Sequence, residues 1–101
     1  MKSWSEPAYT LPQKYSKLTT TQRRHVREQY IKEQNNLCYW CKHSLDEDPP
    51  SHILEKRISP TLFPVNFFRH SIHLHHDHIS DLTEGAVHAY CNAVMYQYYN
   101  R

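Results

Sequence analysis

Apolar positions at helical spacing mark two stretches of the chain, one in its first third and one at its end. In "TTTQRRHVREQYIKEQNN", Val26 and Tyr30 lie four apart, Thr19 and Gln22 have the spacing of a capping box, and Asn35 and Asn36 form a stop. The pattern predicts a helix over roughly 20–36, with Arg23, Arg24, Arg27 and Lys32 on its exposed side. In "CNAVMYQYYN" no helix breaker occurs, and Val94, Met95 and Tyr98 take helical spacings, which predicts a short terminal helix. Residues 1–18, with Pro7 and Pro12 and no sustained period, are expected as an extended N-terminal arm without regular structure. Trp4, Tyr9 and Tyr15 are its candidate packing points.

Between the two helices the pattern changes. From "SLDEDPPSH" the chain is rich in turn formers, "ILEKRIS" allows a short helix, and Pro60 and Pro64 interrupt the chain after it, so 44–70 is expected as a partly irregular connection. "SIHLHHDH" then reads as a short strand, "ISDLTEG" as a turn, and "AVHAY" as the return strand, with Gly85, the chain's one glycine, at its start. The order is helix, knuckle at "CYWC", connection, hairpin, helix. It describes a single small α+β domain over 19–101, with no internal repeat or low-complexity tract.

Composition narrows the picture. A chain of 101 residues has room for one small domain, and 39% hydrophobic residues make its core thin, while 13% aromatic residues argue against disorder. A staple beyond the apolar core is therefore expected. No apolar run reaches the roughly 18–20 residues needed to span a bilayer, and "MKSWSEPAYT" lacks the apolar segment of a signal peptide, so an intracellular protein without membrane contact is expected. Three cysteines cannot all pair within one chain, and a reducing compartment disfavours disulfides, which leaves metal ligation as their natural use. The net charge of +2 is unevenly spread: residues 1–43 hold eight Lys and Arg against three Asp and Glu, and residues 44–101 hold four against seven. A basic front half permits contact with a polyanion; a basic helix that is merely solvated is the plain alternative.

Cys38 and Cys41 have the C-x-x-C spacing by which one tight turn gives two thiolates to a tetrahedral ion, at Zn–S distances of about 2.3 Å. A closed structural site needs two more ligands, and "HAYC" offers His88 and Cys91 at the same spacing, using the last cysteine. The expected zinc set is Cys38, Cys41, His88 and Cys91. The alternatives are buried thiols beside a surface histidine, or a redox pair, for which a surrounding βαβ pattern is missing. Zinc held there would clamp the start of the last helix to the knuckle and supply folding energy that a thin core lacks.

That set leaves "HLHHDH", residues 73–78, unused. Neutral imidazole, with an unperturbed pKa of about 6.5, serves both as a general base near neutral pH and as a metal ligand, so neighbouring histidines can divide the two tasks. His75 and His76 are candidates for ligand and base, provided the strand ends or twists there, since neighbours on a regular strand face opposite sides. Asn92, next to Cys91 at the opening of the last helix, is a candidate second ligand whose place the zinc would fix. Together they would form a single divalent-metal site for phosphodiester chemistry. The alternative is a hairpin whose histidines face solvent or bind stray transition metals.

The pieces "YIKEQNNLCYWCKHSL", "HLHHDH" and "GAVHAYCNAVMYQY" together resemble the zinc-containing HNH, or ββα-metal, nucleases, most closely the phage recombination endonuclease VII type, over roughly residues 28–99. The resemblance implies a zinc-stapled ββα-metal fold and an endonuclease that nicks or cuts duplex DNA with one divalent ion. It implies His76 as general base, His75 and Asn92 as ligands of the catalytic ion, and His78 as a helper at the phosphate. Cys38, Cys41 and Cys91 match its zinc ligands, with His88 in place of a fourth cysteine.

Two departures bear on these expectations. The family usually has an aspartate where this chain has His75, so the catalytic ion can shift from magnesium toward manganese, nickel or zinc, or Asp77 can supply the hard oxygen ligand. Junction-resolving members continue in a long helical region beyond the core, whereas this sequence stops at Arg101, so plain cleavage of duplex DNA is expected, with Arg23, Arg24, Arg27 and Lys32 on the phosphates. The resemblance also implies a phage-encoded protein in the cytoplasm of a bacterial host. It gives His73 no role and leaves the oligomeric state open, a monomer included. The rival expectations are a non-catalytic zinc-binding module for nucleic acid or a protein partner, and a nuclease-derived regulator without turnover. The zinc-binding module gives no reason for His75, His76 and Asn92 together.

Overall fold

The computed structural model describes residues 9–101; the start of the expected arm, with Trp4 and Pro7, lies outside the described residues. Helix α1 spans Thr20–Glu33 and starts at the expected capping box. The Thr19 hydroxyl accepts from the Gln22 N–H at 3.1 Å, and the Gln22 side chain accepts from the Thr19 N–H at 2.8 Å. The helix stops at Glu33 rather than near 36, because Asn35 and Asn36 both take left-handed backbone, with φ of 57° and 63°. Val26 and Tyr30 are buried, as their spacing predicts. Its basic side is less solvated than expected: Arg24 and Lys32 are exposed, but Arg23 and Arg27 are half-buried.

The knuckle after α1 is closed by the Cys38 N–H donating to the His43 carbonyl at 2.8 Å and by a bridge between Leu37 and Ser44. The connection then carries a short helix α2 at Ser51–Leu54, entered through Pro50 and so placed ahead of "ILEKRIS", and a 3-10 turn at Val65–Phe68 after Pro64. Far from looping out, it is laced to the last helix. The Tyr98 hydroxyl and Gln97 amide donate to the Arg57 carbonyl at 2.6 and 2.9 Å, and the Ser59 N–H donates to Gln97 Oε1 at 2.9 Å.

Strands β1 (Ile72–His76) and β2 (Thr83–His88) form a two-stranded antiparallel sheet, and helix α3 follows at Ala89–Tyr99. The hairpin and terminal helix are those expected, with shifted boundaries. Residues 83–85, expected in the turn, are strand, since Thr83 is captured by the Tyr30 hydroxyl and the Gln13 backbone. Ala89 and Tyr90, expected in the return strand, open the helix instead.

Residues 9–18 depart from a structureless arm, because Gln29 of α1 holds Tyr9 and the hairpin holds Gln13–Ser16. A 3-10 turn at Tyr15–Lys17 donates the Tyr15 N–H to the Asp81 carbonyl at 2.8 Å, and the Asp81 carboxylate accepts from the Ser16 N–H at 3.1 Å and from the Ser16 hydroxyl. Leu18 is buried beside Val26, Tyr30, Leu74, Val87, Val94 and Met95 in one core that also contains Cys38 and Cys91. No helix among the described residues is long and apolar enough to cross a membrane.

Candidate metal centre and adjoining cleft

The ligand atoms of Cys38, Cys41, His88 and Cys91 all lie within 4.8 Å of one another. His88 Nδ1 is 3.4 Å from Cys41 Sγ and 3.6 Å from Cys91 Sγ. A tetrahedral zinc ion, with bonds of about 2.3 Å to sulfur and about 2.0–2.1 Å to nitrogen, sets its S···N edges at about 3.6 Å. The other ring nitrogen, Nε2, donates to the Ser44 and Glu47 carbonyls at 2.9 and 2.7 Å, which places the proton there and leaves Nδ1 bare toward the thiols. Cys38 Sγ accepts from the Trp40 and Cys41 N–H groups at 3.4 and 3.5 Å.

The electrostatics agree with a cation. A proton shared with Cys91 is the chief reason the Cys38 thiol is lowered to about 4, and the same contact pushes Cys91 up. Burial raises Cys41. Without a positive charge among them, one thiolate therefore suppresses the others; a bound dication lets all three ionise. The cluster, drawn from the knuckle and the β2–α3 junction, can hold a structural metal such as zinc.

The irregularity needed to bring His75 and His76 to one site is present in the hairpin. His75 pairs with Gly85 and His76 with Thr83, so Glu84 is an extra residue and the register slips between the two histidines. His75 is 2% exposed. Its Nδ1 lies 3.3 Å from Asn92 Oδ1, its Nε2 lies 3.0 Å from Glu84 Oε1, and the Asn92 Nδ2 donates to His73 Nδ1 at 3.1 Å.

Both nitrogens of this buried ring thus face oxygen acceptors. Only an imidazolium could satisfy both with its own protons, and burial, the largest influence, pulls His75 down from its ordinary value, with Glu84 opposing. A cation between Nδ1 and Asn92 Oδ1 would remove the conflict, with Nε2–H donating to Glu84 and the Nδ1 lone pair left for the ion. Adjacent ligands at right angles on bonds of about 2.0–2.3 Å lie about 2.8–3.3 Å apart, so a pair 3.3 Å apart could hold a divalent ion.

His76 stacks flat on Tyr15, ring centroids 3.8 Å apart and planes 10° apart, and the Arg23 guanidinium lies 4.0 Å from the centroid of the same tyrosine ring. Burial and then His78 lower the His76 pKa, so its ring is neutral near pH 7. His78 is exposed and meets His76 edge-on at 4.9 Å. Asp77 accepts the Ile79 and Ser80 N–H groups at 2.8 Å each and so caps the hairpin turn. The carboxylate beside His75 is that of Glu84.

A cleft of about 660 Å³ joins these groups: His73, His75, His76, His78 and Asn92 line it together with Arg23, Arg24 and Arg27 of α1. Lys32, farther along α1, is not part of its lining. The cleft also includes Tyr15, His70, Phe67, Thr20 and Thr21, none of which sequence reasoning assigns to a site. Glu84 escapes sequence reasoning because it stands in a stretch that reads as turn. The period of two along β1 does place His73 on the same side as His75, which is the signal that could have found its contact with Asn92. Comparison with known proteins adds no family to these observations: no family model, no curated protein and no solved structure matches the chain.

Proposed function

We propose that the protein is a metal-dependent DNA endonuclease of the HNH, or ββα-metal, type, hydrolysing phosphodiester bonds in duplex DNA. One observation carries the proposal. His75 Nδ1 and Asn92 Oδ1 meet at 3.3 Å in a cleft that also takes in His76 and three arginines of α1. The hairpin-to-helix order and the cysteine–histidine cluster at its junction support the same assignment.

His75 and Asn92 would hold a divalent ion, which would supply charge neutralisation at the scissile phosphate and at the oxygen that leaves it. His76, neutral and held flat against Tyr15, takes a proton from the attacking water as general base. His78, exposed beside it, donates to a phosphate oxygen. Arg23, Arg24 and Arg27 place the anionic backbone in the cleft.

The test is direct. Zinc-loaded protein with magnesium or manganese should nick supercoiled plasmid, and His76→Ala should slow nicking by about 100-fold or more with zinc content unchanged. Cleavage at the original rate in that variant would remove His76 from the role of base. Tight DNA binding by the wild-type protein without any turnover would favour the non-catalytic zinc module instead.

A further inference from the structure

We propose that Glu84 and His73 are positioning residues that aim the two ligands of the catalytic ion, Glu84 by holding His75 with Nδ1 bare and His73 by holding Asn92 with Oδ1 turned toward it. The inference rests on the ion site proposed above and extends it to the two side chains that contact its ligands.

An asparagine amide has two unlike ends. Asn92 lies between two imidazoles of β1, with His73 Nδ1 3.1 Å from its Nδ2 and His75 Nδ1 3.3 Å from its Oδ1. If His73 Nδ1 carried a proton, the favoured amide would be the reverse one, with its NH₂ group toward His75, where it could bind no cation. With Nδ1 of His73 unprotonated, the NH₂ group is drawn to it and the oxygen is left for the ion. The His73 ring is fixed by the edge of Phe67, at 4.6 Å between centroids, with its Nδ1 turned to the Asn92 amide.

Glu84 does the corresponding work on His75. The slip in register inserts Glu84 between the His75–Gly85 and His76–Thr83 pairs, and its Oε1 reaches His75 Nε2 at 3.0 Å. A carboxylate there holds the ring proton on Nε2, fixes the tautomer and raises the basicity of Nδ1. Arg101, 3.9 Å from the same oxygen, is a weaker partner at an exposed position.

Calorimetric titration of Mn²⁺ into zinc-loaded protein tests the inference without reference to cleavage. Glu84→Ala and His73→Phe should each weaken Mn²⁺ binding about 10- to 100-fold, with zinc content and circular dichroism unchanged. Glu84→Gln, which keeps an acceptor oxygen but loses the charge, should fall between, and it maintains the test if the alanine variant does not fold. In nicking assays the variants should need more Mn²⁺ yet approach the wild-type kcat once saturated, a split that a merely structural defect does not produce. Folded variants that bind Mn²⁺ as tightly as wild type would overturn the inference and leave the nuclease proposal standing, whereas a wild-type protein that takes up no Mn²⁺ would overturn both. Wild-type uptake with the expected losses in the variants, but no nicking by any of them, would support the inference while defeating the nuclease proposal.

Discussion

A β-carbon at Gly85 would stand 2.7 Å from Gln34 Oε1 and 2.9 Å from both Cβ and Cγ of Tyr39. Neither neighbour can withdraw cheaply. The Gln34 amide donates to the Ala86 carbonyl and accepts from the Ala86 N–H, both at 2.9 Å, and the Tyr39 N–H donates to the same carbonyl at 2.9 Å. Gly85→Ala should therefore cost about 1–3 kcal/mol through overpacking, read as a lower urea midpoint of the zinc-loaded protein at unchanged slope. An unchanged midpoint would mean that the knuckle gives way. The sequence singles out this glycine, but φ is not positive there, and close approach of the knuckle is what excludes a side chain. The same limit applies to Glu84. Histidines, cysteines and Asn92 announce their chemistry by type and spacing, whereas one acid among turn formers has no pattern until the register slip aims it at His75.

Elements were legible where the signal is local and displaced where a partner decides. The start of α1 lies in the capping box itself, so it is found to the residue. The start of β2 depends on Tyr30, 53 residues away along the chain, whose hydroxyl meets the Thr83 carbonyl at 3.2 Å and the Thr83 hydroxyl at 2.9 Å. This contact joins α1 to the hairpin and has a pH signature. Burial, the first cause, raises the Tyr30 pKa above its ordinary value, with the Thr83 hydrogen bond opposing. A group raised on folding contributes stability that is complete below its unfolded value, about 10 for tyrosine, and is lost as pH rises through the folded value. Wild type should exceed Tyr30→Phe by about 1 kcal/mol near pH 8, and the margin should shrink above pH 10 and then reverse or vanish. Urea midpoints of the two proteins between pH 8 and 11 measure it. A margin independent of pH would show that Tyr30 titrates alike in the folded and unfolded chains.

At the scale of the molecule, the order of elements and the four cluster ligands could be read from spacing, because a metal site constrains residues a few positions apart. The packing of 9–18 along the hairpin turn and of the connection along α3 could not, since both depend on hydrogen bonds between distant segments. What joins the knuckle to the β2–α3 junction is the cluster. Cys38 and Cys91 are fully buried within the same core as Val26, Val87, Val94 and Met95, and the ligands come from both ends of the fold. Structural zinc in small domains is worth about 10–16 kcal/mol of apparent binding energy at pH 7, and a whole domain has only about 5–15 kcal/mol of net stability. Loss of the metal should therefore unfold the chain rather than loosen it. Incubation with a strong chelator at pH 7 should abolish both the helical circular dichroism signal and the cooperative melt, and one equivalent of zinc should restore them. Mn²⁺ uptake should disappear with the fold, because Asn92 follows ligand Cys91 directly on α3 and loses its place opposite His75 when the cluster opens. A chelated protein that kept its melt within a few degrees would show instead that the aromatic and hydrogen-bonded contacts of α3 hold the domain without the metal.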